Sequence, residues 1–229
     1  MLVEAQQDFV FLGYDAKVRF SPKSLLIAVA AAAIVAALVS MVVLDQRSQP
    51  YTVDSALLTG WKLVPGTAED PWVIAVQPPA GLTSSLFEQI SRKVGRSLVA
   101  PPHSALPLVM RKEHDDALQG VFGVTDIDRM ARGTFSDTSR FEPICLGHLV
   151  DERSGSRGEL FFLAVNSREF NDLRIEIQPD FPEHAGIGIY DAGSLTPILP
   201  IATTDKDFER WWPIRLDEAV NCQAQVLVK

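Results

Sequence analysis

The residue types in this chain that could do specific chemistry are four histidines, two cysteines, one cluster of acids around a histidine, and a tryptophan pair. The histidines are His103, His114, His148 and His184. A metal site needs ligands that converge, usually two of them three or four residues apart on a helix or at short fixed loop spacings. No two of these histidines stand so, and each reads as an isolated imidazole with a hydrogen-bond partner. Glu113-His114-Asp115-Asp116 is the densest polar stretch. Carboxylates beside a histidine can bind a cation or move protons. Here they fall between two apolar runs, where aspartate favours turns, and a solvated hairpin turn is expected.

Three motif fragments fail on spacing. Asp126-Ile127-Asp128 begins like a calcium loop, but Met130 stands at the third ligand position, the glycine at position six is missing and no glutamate stands at position twelve. Ser154-Gly155-Ser156-Arg157-Gly158 lacks the G-x-S-x-G order of a nucleophile elbow. Gly120, Gly123, Gly186 and Gly188 open no strong helix and so make no phosphate-binding loop. No catalytic, cofactor-binding or metal-ligating residue is assigned, and no cofactor is implied.

Trp211-Trp212, followed by Pro213, is the most distinctive dipeptide. Paired tryptophans can stack on sugar rings or anchor a protein interface. Adjacent residues of an extended segment point opposite ways, so one is expected in the core and the other is a candidate binding surface. Cys145 and Cys222 are the only cysteines. A bridge between them would close a loop of roughly 78 residues, for which loop entropy gives about 4 kcal/mol; two buried free thiols are the alternative.

Whether a bridge is chemically allowed depends on where the domain sits. Leu25 to Leu44, LLIAVAAAAIVAALVSMVVL, carries no charge, and Ser40 is its only polar side chain. At about 1.5 Å per residue it spans about 30 Å, the hydrocarbon thickness of a bilayer. It exceeds the apolar core of a cleaved signal peptide, and a signal anchor over residues 24–44 is expected. Lys17, Arg19 and Lys23 precede it and Arg47 alone follows closely. The positive-inside rule then leaves residues 1–23 as a cytoplasmic tail and sends the rest across, to the periplasm if the membrane is a bacterial inner membrane. Ala28, Ala32, Ala36 and Ser40 recur every four residues, a small-residue face on which another membrane helix could pack.

Residues 45–55 are polar and contain Pro50, and read as a juxtamembrane tether. Residues 56–229 read as one mainly-β domain, β-sandwich-like or α+β. Strands are expected at Trp72–Val76, Leu108–Lys112, Val121–Val124, Leu173–Ile177, Ile187–Tyr190 and Ala224–Val228. The best hairpin is Ile144–Arg153 with Glu159–Asn166, whose second arm, LFFLAV, is apolar on both faces and so belongs at the centre of a sheet. Helices are expected at Thr83–Val94, capped by Ser84 or Ser85 and stopped by Gly95, at Asp126–Ala131 with Thr125 at its cap, and at Asp205–Trp212. No internal repeat is legible in the sequence.

The net charge of −8 all lies after the apolar run, since Glu4, Asp8 and Asp15 cancel Lys17, Arg19 and Lys23 before it. An acidic domain repels phosphate backbones, which argues against a nucleic-acid partner. The expectation is a non-enzymatic, single-pass subunit or assembly factor of a membrane protein complex. Its partners would be the lipid bilayer and integral membrane proteins, met through the anchor and the external domain. An envelope module that binds saccharide or lipid through an aromatic surface is the alternative. A hydrolase with scattered catalytic residues is the third reading.

Overall fold

The computed structural model describes residues 49–101, 104–151, 158–178, 190–204 and 221–229. The apolar run Leu25–Leu44 lies outside them, as do residues 187–189 and 205–212 of the predicted elements. Among the described residues no helix is long and apolar enough to cross a membrane. From Gln49 onward the chain forms one compact unit of mixed sheet and helix.

Strand β1 (Tyr51–Val53) lies within the segment predicted as a tether. Tyr51 and Val53 alternate inward and are buried, which gives a short polar-looking stretch a strand's period. β2 (Lys62–Pro65) and β3 (Trp72–Gln77) form an antiparallel hairpin, helix α1 (Ala80–Val94) follows, and β4 (Leu106–Met110) returns antiparallel to β3. α1 starts three residues before the predicted Thr83. Pro79 precedes its first turn, and Ser84 hydrogen-bonds back to the Ala80 carbonyl rather than capping. Gly95 ends it at φ 67°, a left-handed conformation that glycine adopts without penalty.

The expected strand pair around Asp115-Asp116 does not form. β4 stops at Met110, and Arg111–Glu113 runs as a helical turn into a π-helical turn, His114–Leu118. His114, Ala117 and Leu118 are buried at helical spacing, and the Glu113 carboxylate accepts the Met110 N–H at 2.9 Å, so the apolar period here is that of a helix. Val121–Val124 is likewise not a strand but the approach to α2 (Val124–Thr134). Gly123, not Thr125, precedes that helix, with its N–H held by Asp126 at 3.1 Å.

β5 (Glu142–Asp151) and β6 (Gly158–Asn166) are the predicted hairpin, and β6 lies centrally between β5 and β7 (Ile198–Thr203), as its two apolar faces require. Between β6 and β7 stands α3 (Arg168–Glu176), where a half-buried strand was expected. Phe170, Leu173, Arg174 and Ile177 are buried at helical spacing, Ile175 is exposed, and the Ser167 hydroxyl caps Phe170. β8 (Cys222–Ala224) pairs with β5 and β9 (Val226–Val228) pairs parallel with β1, so the single terminal strand predicted over Ala224–Val228 is split at Gln225.

The sheets are ordered β2-β3-β4, β7-β6-β5-β8 and β1-β9. β4 and β7 approach each other without joining. Each carries a proline, Pro107 and Pro200, which cannot donate to a ladder. The main core gathers Leu82, Leu86 and Ile90 of α1, Ile127 and Ala131 of α2, and Phe170 and Leu173 of α3 against one face of both larger sheets. On the other face of β6, Leu160, Phe162 and Ala164 form a second cluster with Ile198 and Cys145.

Candidate functional site

Among the described residues two ionic clusters contain most of the buried charge, and neither is legible as a site in the sequence. The first stands at the start of β6. Glu159 is 3% exposed at its side chain, and a carboxylate that far from water needs cations or donors. Arg96, placed just beyond Gly95 at the end of α1, donates to its Oε1 at 2.6 Å. His148, on the neighbouring strand β5, meets its Oε2 through Nε2 at 2.9 Å. Burial pushes the Glu159 carboxyl up, and the hydrogen bonds and charges of His148 and Arg96 more than reverse this, leaving it below its ordinary value. The backbone is fastened as well: Glu159 N donates to the Thr204 hydroxyl, and its carbonyl accepts from Thr204 N and the Thr203 hydroxyl. His148 lies flat on Phe161, its register partner, with ring centroids 4.5 Å apart.

A carboxylate that orients a histidine is half of a nucleophilic triad. The other half is a hydroxyl or thiol on the second ring nitrogen. Among the described residues none hydrogen-bonds to His148, and both cysteines are consumed in a disulfide.

The second cluster joins α3 to the end of β4. Arg174 is 1% exposed. Its guanidinium grips Glu113 at 2.7 and 3.2 Å, and donates to the carbonyls of Leu108, Asp191 and Ala192 and to the Ser194 hydroxyl. Its five N–H groups are therefore all engaged. Leu108 lacks a partner in the β3 register, so the arginine satisfies a strand carbonyl that the ladder leaves over. The Tyr190 ring lies 5.0 Å from the guanidinium carbon, and burial pushes its phenol well above the ordinary value.

The Glu113–Asp116 quartet does not converge on a cation. Glu113 goes to Arg174, Asp115 to His114 Nδ1 at 2.9 Å, and Asp116 to Lys112 at 2.6 Å, while His114 Nε2 meets the Phe122 carbonyl. Asp126 and Asp128 pair with Arg129 and Arg132 on their own helix. Among the described residues no group of three histidines, cysteines or acids could hold a metal ion. Cys145 and Cys222 are bonded, with Cα atoms 5.6 Å apart. Trp211, Trp212, His103, His184, and the face of Ala28, Ala32, Ala36 and Ser40 lie outside the described residues.

The signals that point to the missed groups are local. Glu159 is the one charge inside the apolar arm of β6, and Arg174 follows Leu173 on a face whose period is helical once Ser167 is read as a cap. No protein-family model, curated protein or solved structure matches the chain.

Proposed function

We propose that this chain is a non-enzymatic, single-pass subunit or assembly factor of a membrane protein complex. The anchor is Leu25–Leu44, and the domain that follows makes protein contacts on the extracytoplasmic side. The Cys145–Cys222 disulfide carries the reading. Disulfides persist in oxidising compartments, and the basic residues Lys17, Arg19 and Lys23 send the same domain out of the cytoplasm by an independent rule. The charge clusters add support. Arg174 ties α3 to Glu113 and the Leu108 carbonyl, and Arg96 ties the end of α1 to Glu159 on β6, as in a scaffold.

Two measurements test this. A reporter active only outside the cytoplasm, fused after Lys229, is expected to be active; activity from a cytoplasm-only reporter at that position would refute the topology. The full chain, purified in mild detergent, is expected to retain a membrane partner, and Ala32→Leu with Ala36→Leu is expected to weaken that association by closing the small-residue face. A chain that purifies alone, or a double variant with undiminished association, would remove the subunit reading or its packing face respectively.

A further inference from the structure

We infer that the Cys145–Cys222 bond is an oxidative latch for the strand by which the chain enters the domain. Three contacts in series make the connection. The disulfide holds Cys222, at the start of β8, to β5. β8 itself is registered on β5 at only two positions, Leu146 with Ala224 and Gly147 with Cys222. One residue later the same segment becomes β9, whose three residues pair in parallel with β1. Around that ladder Tyr51 N donates to the Gln225 carbonyl, Lys229 N to Val53 and Ser55 N to Lys229. Ladders of two and three residues are marginal alone. Val226 is buried in the main core and β9 touches β5, and to these contacts the covalent link adds the tether that keeps β9 in place for β1.

The opposite edge of β1 is closed by a side chain rather than a strand. The Gln89 amide of α1 accepts from Thr52 N at 2.9 Å and donates to the Thr52 carbonyl at 2.8 Å. Gln89 blocks a foreign strand from that edge, yet of β1 it engages Thr52 alone. The latch leaves two inward side chains, Tyr51 and Val53, in the main core. With the latch open these two lose their strand partner, and the segment before the Ser55–Leu58 turn is free to join the preceding linker.

The chemistry is thiol–disulfide exchange with a disulfide oxidant. The partly exposed Cys222, as thiolate, attacks a sulfur of the oxidant. Cys145 then attacks Cys222 in the mixed disulfide, and the oxidant leaves as a dithiol with the two electrons and two protons. Cys145 is 6% exposed among Leu160, Phe162, Ala164 and Ile198. As a leaving group in apolar surroundings it is a poor one, so the latch, once closed, resists reopening. β1 is thus held most firmly in the oxidised domain. This concerns the domain itself and stands whether or not the chain is anchored.

Hydrogen exchange by mass spectrometry on the full chain in detergent micelles tests it. In Cys145→Ser with Cys222→Ser, amides of 51–55 and 226–229 are expected to exchange at least about tenfold faster, while those of 73–76 and 160–165 keep their protection. Wild type reduced with a dithiol and alkylated is expected to match. Gln89→Ala with the disulfide intact is expected to speed Thr52 while leaving 226–229 within about threefold. Unchanged protection of 51–55 without the bond would overturn the latch. Equal loss across β3 and β6, or release of both terminal strands by Gln89→Ala alone, would do so too.

Discussion

Among the described residues, 62–110 and 142–203 run through the same order of elements and are secured differently. Each is an antiparallel hairpin, a helix, and a third strand antiparallel to the hairpin's second: β2-β3-α1-β4 and β5-β6-α3-β7. Their helices cross over. α1 packs on β7 and α3 packs on β4. Each half also sends an arginine to the other: Arg96, from the end of α1, to Glu159 on β6, and Arg174, from α3, to Glu113 and the Leu108 carbonyl at the end of β4. The reciprocity is unequal in burial. Arg174 is 1% exposed at its side chain and Arg96 50%. Two sheets whose facing strands carry prolines are thus held by crossed helices and two ion pairs, one dry and one wet.

Of the two pairs, the dry one is expected to matter more to stability. Arg174→Met takes the cation from the Glu113 carboxylate, which keeps only the Met110 N–H and the Ser194 hydroxyl, and takes a donor from the Leu108 and Ala192 carbonyls; removing one partner of a buried pair costs about 3–5 kcal/mol. Urea unfolding of the full chain in detergent, followed by tryptophan fluorescence, reads this directly. Arg174→Met with Glu113→Leu should recover part of the loss, because no unpaired charge remains. A loss below about 1 kcal/mol in the single variant would mean that the crossing of α3 does not depend on its arginine.

The two hairpins differ in a second way, at one glycine each. A Cβ on Gly66, beyond β2, would stand 2.0 Å from the Trp72 carbonyl oxygen; on Gly147, in β5, it would stand 2.2 Å from the Phe162 ring. Backbone cannot give way, whereas a side chain can be exchanged. Gly66→Ala is expected to cost about 3 kcal/mol or more, and Gly147→Ala about 1–3 kcal/mol. Phe162→Leu should rescue the second, although Phe162 is itself fully buried and its truncation leaves a cavity. Thermal unfolding of the two single variants and the double checks this. Equal rescue of Gly66→Ala by a change at Trp72 would show that the loop after β2 is as adaptable as the sheet.

β3, the β5–β6 hairpin and α1 were read correctly because each carries one uncontested period: apolar runs of strand length, or Leu86, Ile90 and Val94 sharing one helix face. At α3 the pattern misleads, because Leu173, Ile175 and Ile177 alternate as in a strand, although of these three only Leu173 and Ile177, four apart, serve the core. The acids of the quartet after β4 suggest solvent and hence a turn. One of them, Glu113, instead bonds to an arginine sixty-one residues away. Ion pairs between distant residues have no local period, so both arginine clusters stayed hidden. The disulfide was legible as a possibility because only two cysteines exist.

The wet pair gives the smallest effect and the sharpest signature. Half of the Arg96 side chain is in water, so solvent screens its charge, and Arg96→Ala is expected to cost no more than about 1 kcal/mol at neutral pH. The difference should depend on pH in a definite sense. Glu159 is held below its ordinary value, so the folded state binds its proton more weakly than the unfolded state does. The stability this provides is complete above the unfolded carboxyl value of about 4.3 and is lost as pH falls through the folded one. Removing Arg96 narrows the gap between the two values but leaves His148 in place. The unfolding curves of wild type and Arg96→Ala, apart at neutral pH, should therefore converge as pH falls from about 5 to below 3. Glu159→Gln should respond to the same pH change less than either. A difference between wild type and Arg96→Ala that stays constant over that range would mean that Arg96 acts on β6 by packing its stem. The two arginines would then not be counterparts at all: one would be an ion pair, the other a lid of methylenes over the end of a strand.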